Sequence, residues 1–232
     1  MKAFSMLVLL SMVTLTVKAA DYVPKLWAGV VKADSWTTTT HKEGVYQLEV
    51  KDGGSLTQLS TGDDVYMAPL GGAVYVDGTM KGIHFKTEYD PYTEGNSYTV
   101  YHVEYDMQTW KRTKAVTMDQ TYANLISTCG IAHDPLSGKD YGIFYNFNFD
   151  MQVINRKLAT IDFSKDKPTK DIIDVVTTPF AAIAFAPSGA LYGVGMDGFL
   201  YAIDPDDAEL MPLGDLGIED ISTYPSTMAF DP

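Results

Sequence analysis

Cysteine is almost missing from the chain: Cys129 is the only one in 232 residues. No intramolecular disulfide can form, which excludes the small secreted scaffolds that cysteine pairs hold together. Cys129 lies in the apolar run from Leu125 to Ala132, where a lone thiol reads as a small core residue rather than a nucleophile. Basic charge is scarce as well. Arg112 and Arg156 are the only arginines, and 17 Lys and Arg stand against 30 Asp and Glu, a formal net charge of −13. A surface of that sign repels phosphate backbones and anionic bilayers. No nucleic-acid partner is expected, and a neutral ligand or a cation suits the field better.

Catalytic signatures are lacking too. There is no GxSxG elbow, HExxH or P-loop, so no serine-hydrolase elbow, helix-borne zinc site or P-loop phosphate cradle is expected. His41, His84, His102 and His133 include no pair at metal-ligand spacing. Long helical periodicity is also absent.

What is present begins with a leader. Lys2 precedes the apolar segment Met6 to Leu15, and Val17-Lys18-Ala19 offers small residues for cleavage after Ala19. This is the pattern of a secretory signal peptide over 1–19, with an apolar core too short to span a bilayer comfortably. The expected location is secreted, periplasmic or cell-surface, with no membrane insertion of the mature chain. Without Lys2 and Lys18, 15 basic residues face 30 acidic ones.

Hydrophobic content of 46% with 20% charged residues is that of a globular protein, and 15 Tyr and 10 Phe lean towards strands. Ala190 to Gly214 reads as strand, turn at Met196-Asp197-Gly198, strand over Phe199 to Ile203, turn at Asp204-Pro205-Asp206-Asp207, and strand. Its register recurs. Tyr201, Ile203 and Asp204 align with Tyr46, Leu48 and Glu49, with Tyr101, Val103 and Glu104, and with Ala159, Ile161 and Asp162. A second marker recurs in Val74 to Gly78, Ile131 to Pro135, Ile183 to Pro187 and Met228 to Pro232. Units of this kind with four short strands are the sequence form of β-propeller blades. A β-sandwich is the other all-β reading, but it does not require the two markers to recur in phase.

Ile183 to Gly214 resembles the blades of secreted bacterial β-propellers of the quinoprotein-like and YVTN-like type, with their pattern xAFDPxxGxLYGV…LYxIDPxTG…xxLG. The likeness extends more loosely over about residues 26–232. It implies an all-β propeller of four-stranded antiparallel blades, about three to four blade units being present and the ring incomplete. The units expected are 25–60, 61–119, 120–176, 177–219 and the start of another over 220–232, all within a propeller domain spanning 20–232. The remaining blades are expected from a further C-terminal region. Tyr201 and Tyr101 stand where cofactor-binding quinoprotein blades carry a docking tryptophan, so no cofactor is expected.

Among candidate residues, Asp204, Asp206 and Asp207 suggest a hard-cation loop, although Pro205 favours a solvated turn. His133 stands where other copies carry Tyr75, Phe185 and Phe230, and reads as a structural position. Aromatic residues beside amides suit sugar rings, which need stacking and hydrogen bonds together. Tyr145, Phe147 and Asn148 in the alternating run from Phe144 to Asp150, and Tyr89 and Tyr92 beside the insertion Glu88 to Ser97, are the candidate ligand contacts. The expected function is a non-enzymatic binding or scaffold module for a neutral glycan or a protein partner. The alternative is a polysaccharide hydrolase or lyase with acidic residues in a central channel.

Overall fold

The computed structural model describes residues 25–30, 44–49, 55–60, 71–92, 94–118, 127, 129–147, 153–218 and 228–230. The expected leader lies outside these residues, as do Trp36, His41 and Asn148. Among the described residues there is no helix, and so none long and apolar enough to cross a membrane. The fold is all-β, in four antiparallel sheets.

The chain divides into two compact units, Met1–Tyr66 and Met67–Pro232. The first unit holds a three-stranded sheet of β1 (Lys25–Val30), β2 (Gly44–Glu49) and β3 (Ser55–Gln58). Tyr46, paired with Ala28 and Gln58, is buried there.

The second unit holds three four-stranded sheets, each a meander in chain order. The second sheet comprises β4 (Ala73–Val76), β5 (Thr79–Asp90), β6 (Gly95–Asp106) and β7 (Lys111–Thr117). The third comprises β8 (Ile131–His133), β9 (Asp140–Phe147), β10 (Val153–Asp162) and β11 (Thr169–Val175). The fourth comprises β12 (Phe180–Phe185), β13 (Leu191–Gly195), β14 (Phe199–Ile203) and β15 (Leu210–Asp215).

Turn chemistry explains where these strands stop. At Asp77-Gly78 both residues take positive φ, 49° and 80°, giving the two-residue hairpin that matches strand twist. At Gly195 to Gly198 only Gly198 does so (φ 82°), and its N–H donates to the Gly195 carbonyl at 3.0 Å. A Cβ at Gly198 would also lie 2.9 Å from the Ile218 carbonyl oxygen. Asp197 fixes this turn by accepting the Phe199 N–H at 3.1 Å and the Tyr201 hydroxyl at 2.6 Å. The insertion Glu88 to Ser97 is no separate loop. It lengthens the β5–β6 hairpin, which stays paired from Thr79↔Asp106 to Asp90↔Gly95.

The third strands β6 and β10 end on an aspartate, and β14 is followed directly by one, Asp204; each caps the following turn. Asp106 accepts the N–H groups of Gln108 and Thr109, Asp162 that of Ser164, and Asp204 that of Asp206. Such side-chain to backbone bonds satisfy amides that the ladder leaves free. The residue matching Asp204 in the second sheet is therefore Asp106, two positions beyond the Glu104 expected from the repeat.

Packing follows chain order. The third sheet is apolar on both faces: Tyr141, Ile143 and Leu158 pack towards the fourth sheet with Ile183, Leu191 and Ile203. Phe144, Ala159 and Ile161 pack towards the second with Val74, Ile83 and Val100. Ile143 and Leu158 are 0% exposed, a burial that stabilises by about 1.5–3 kcal/mol per side chain. First strands lie together: β8 contacts both β4 and β12. The Ser127 N–H donates to Gly71 and the Ile183 N–H to Cys129, at 3.3 and 3.2 Å. In each four-stranded sheet the last strand is the most exposed, and in the fourth sheet burial falls from wholly buried β12 to largely exposed β15.

Candidate functional site

Strand register aligns the three sheets of the second unit. Gly82 pairs with Ala73 and Val103, Gly142 with Ile131 and Ala159, and Gly193 with Ile183 and Tyr201. The residues just before these glycines, Lys81, Tyr141 and Tyr192, are therefore equivalent. So are Tyr75, His133 and Phe185, two positions beyond Ala73, Ile131 and Ile183 on the first strands.

At two of these positions the same aromatic contact forms. Phe185 stacks on Tyr141 with ring centroids 5.1 Å apart, and Phe230 on Tyr192 at 5.3 Å. Between the second and third sheets the corresponding residues are Lys81 and His133, and the space that rings fill elsewhere is a pocket of about 420 Å³.

The pocket mixes apolar and polar walls in similar measure. Val76, Ile161 and Phe163 contribute carbon surface; Thr160, Asp162 and Asp171 come from β10 and β11, and Lys139 and Asp140 from the β8–β9 hairpin. The His133 Nδ1–H donates to Asp140 Oδ1 at 2.7 Å. Asp140 is only 13% exposed, and burial pushes its carboxyl above the ordinary carboxylate range although the His133 bond pulls the other way. Asp162 shifts oppositely: the Ser164 hydroxyl at 2.6 Å and the Ser164 N–H at 2.9 Å hold it below that range. Lys165 lies 3.4 Å from its other oxygen.

Beside the pocket a charged cluster joins the same two sheets. His102 on β6 is 0% exposed, its ring 5.4 Å from that of Phe163. Its Nδ1 lies 3.0 Å from the Asp166 carbonyl and its Nε2 3.4 Å from Glu104 Oε1. Lys114 bridges Glu104 at 3.0 Å and Asp166 at 3.2 Å. The turn after β10 is thereby tied to the outer strands of the second sheet.

The residues singled out from sequence lie elsewhere. Tyr92 is 96% exposed at the tip of the β5–β6 hairpin, and Tyr89 pairs with Asn96 in the same hairpin. Tyr145 and Phe147 belong to β9, paired with Arg156 and Val153, and Asn148 is outside the described residues. None of the five lines the pocket. Asp204, Asp206 and Asp207 are spread along one turn, where Asp204 and Asp207 accept the Asp206 and Glu209 amides. Among the described residues no three His, Cys, Asp or Glu side chains converge as a metal site. Sequence reasoning missed Lys81 and Asp140. The available signal was His133, a polar ring at an otherwise aromatic position.

No protein-family model matches the chain, and no curated protein matches it.

Proposed function

We propose that the chain is a secreted, non-enzymatic β-propeller binding module whose sheets are successive blades and whose ligand site is the pocket between the second and third sheets. The ligand class is a glycan. Three features support the propeller: meanders stacked in chain order, first strands side by side, and a last strand that is the most exposed of each four-stranded sheet. Phe230 on Tyr192 repeats the contact of Phe185 on Tyr141, so the outer face of the fourth sheet is where a further blade would pack.

The observation that carries the binding reading is the replacement of that aromatic pair by Lys81 and His133, with a 420 Å³ opening in its place. Carboxylates and hydroxyls beside a similar extent of carbon surface match a ring that carries hydroxyl groups and carbon faces. Asp140 and Asp162 accept from sugar hydroxyls, and Thr160 both donates and accepts.

Screening the purified chain against immobilised polysaccharides tests this. Binding that Asp140→Asn or Thr160→Val weakens about tenfold, with unfolding temperature preserved, supports the site. Retention of a protein partner with no glycan bound at all overturns the glycan reading. One observation favours a hydrolase instead: two carboxyls of one pocket have their proton affinities pushed apart, as a general acid and its partner require. New reducing ends in long incubations with a bound polysaccharide would establish that alternative.

A further inference from the structure

Acidic and basic residues are unevenly divided along the chain. From Asp171 to Pro232 there are 11 Asp and Glu and no Lys, Arg or His, whereas residues 1–170 hold 19 acidic residues against 17 Lys and Arg. The fourth sheet therefore has no cation of its own. Asp206 and Glu209, in the hairpin between β14 and β15, are exposed and form no ion pair among the described residues.

The last strands of the three four-stranded sheets differ in the same way. β7 carries Lys111, Arg112 and Lys114 and β11 carries Lys170, and such charge keeps other chains off an open edge. β15 carries no cation. Exposure runs without a break from Met211 to Ile218, and Met211, Leu213, Leu216 and Ile218 stand at 44–59%. Phe199, paired with Asp215, is exposed beside them. The Leu216 N–H donates to the Gly198 carbonyl at 3.0 Å, which holds the residues after β15 against the β13–β14 turn. Addition of another strand does not suit this edge. Pro212 has no N–H, and the β14–β15 register shifts between Leu200 and Tyr201, two features that blunt pairing. The edge offers side chains instead, an aliphatic strip with carboxylates around it.

We infer that this edge is a docking surface for a basic amphipathic protein segment, whose aliphatic face covers Met211, Leu213 and Leu216 while its Lys or Arg side chains meet Asp206, Glu209 and Asp215. Charge selects this occupant over a second copy of the same edge, because two such edges would set carboxylate against carboxylate. None of these residues lines the pocket between the second and third sheets, so the surface is separate from the proposed ligand site.

Fluorescence anisotropy of three labelled helical peptides of about 18 residues, titrated with the full chain, tests this. The first has leucine on one face and lysine on the other; the second replaces lysine by glutamate, and the third replaces leucine by alanine. The leucine–lysine helix is expected to bind, and each of the others about tenfold more weakly or not at all. Met211→Ser combined with Leu213→Ser should weaken its binding about tenfold. Asp206→Asn combined with Glu209→Gln should weaken it most at low salt, and Ile172→Ser, at an exposed position of β11, should leave it unchanged. No binding of the leucine–lysine helix, equal binding of the alanine–lysine helix, or an equal loss with Ile172→Ser overturns the inference. So does sedimentation in which the chain pairs with itself and Leu213→Ser separates the copies, since the edge then belongs to a second copy.

Discussion

Phe185 rests on Tyr141 with ring centroids 5.1 Å apart, and this contact closes the interface between the third and fourth sheets. Both rings are buried, at 8% and 5% exposure, and a tilted pair of this kind adds about 0.5–1.5 kcal/mol beyond its area. Lys81 and His133, one sheet earlier, give up that energy and leave a pocket. Restoring the pair with the double substitution Lys81→Tyr and His133→Phe should therefore stabilise the fold by about 1 kcal/mol and abolish ligand binding. Chemical denaturation and a binding titration on the same protein check both halves. A double variant that melts lower than the parent, or still binds, contradicts the exchange of packing for a site.

Gly193 makes a second test of how the sheets close. A Cβ built there would lie 2.5 Å from the Phe180 ring, and Phe180 is 1% exposed in the core between the third and fourth sheets. Gly193→Ala should destabilise by about 1–3 kcal/mol through overpacking. Leu158→Ala, at 0% exposure in the same core, should cost about 2–5 kcal/mol by opening a cavity. If urea unfolding places both variants within experimental error of the parent, the core is not packed as described.

Much of the architecture was legible beforehand because it rests on local signals. Phe199 to Ile203 is strand as expected, since an Asp-Gly turn and a proline-bearing turn bracket an alternating apolar run. The Glu104 alignment went wrong for a physical reason. Tyr98 to Asp106 carries tyrosines at 98, 101 and 105, and a slip of two residues keeps every side chain on its own face. Hydrophobic pattern cannot detect such a slip; only the pairing and the Asp106 cap can. The pocket was illegible for another reason. Lys81 and His133 belong to different sheets, and their meeting depends on how those sheets stack. What the repeat did offer was His133 as a departure from aromatic character, which is a symptom of the pocket without its partner.

Cys129 provides a reporter of global opening. It is 3% exposed, its Sγ lies 3.3 Å from Ser127 Oγ, and burial raises its thiol above the ordinary range. Since the thiolate is the reactive form, labelling by a disulfide reagent should be negligible in the native state and rise together with the unfolding transition. Rapid labelling at zero denaturant would place Cys129 outside the core.

His102 makes stability depend on pH with a definite sign. Both its ring nitrogens face oxygen acceptors, the Asp166 carbonyl and Glu104, so only the imidazolium can donate to both. Burial opposes this more strongly, helped by the nearby charges of Lys114 and Lys81, and the pKa falls below the ordinary 6.5 of histidine. The unfolded chain therefore takes up a proton first as pH is lowered. The stability associated with neutral His102 is present in full above the unfolded pKa of about 6.5 and is lost as pH descends towards the native value, with a slope of up to about 1.4 kcal/mol per pH unit. His102→Gln removes this titration, so its stability should vary less with pH between about 7 and 5 than the parent's does. Urea midpoints of parent and variant across that window decide the matter: parallel curves exclude His102 as the source, and a parent that gains stability on acidification means that the Asp166 carbonyl and Glu104 together outweigh burial.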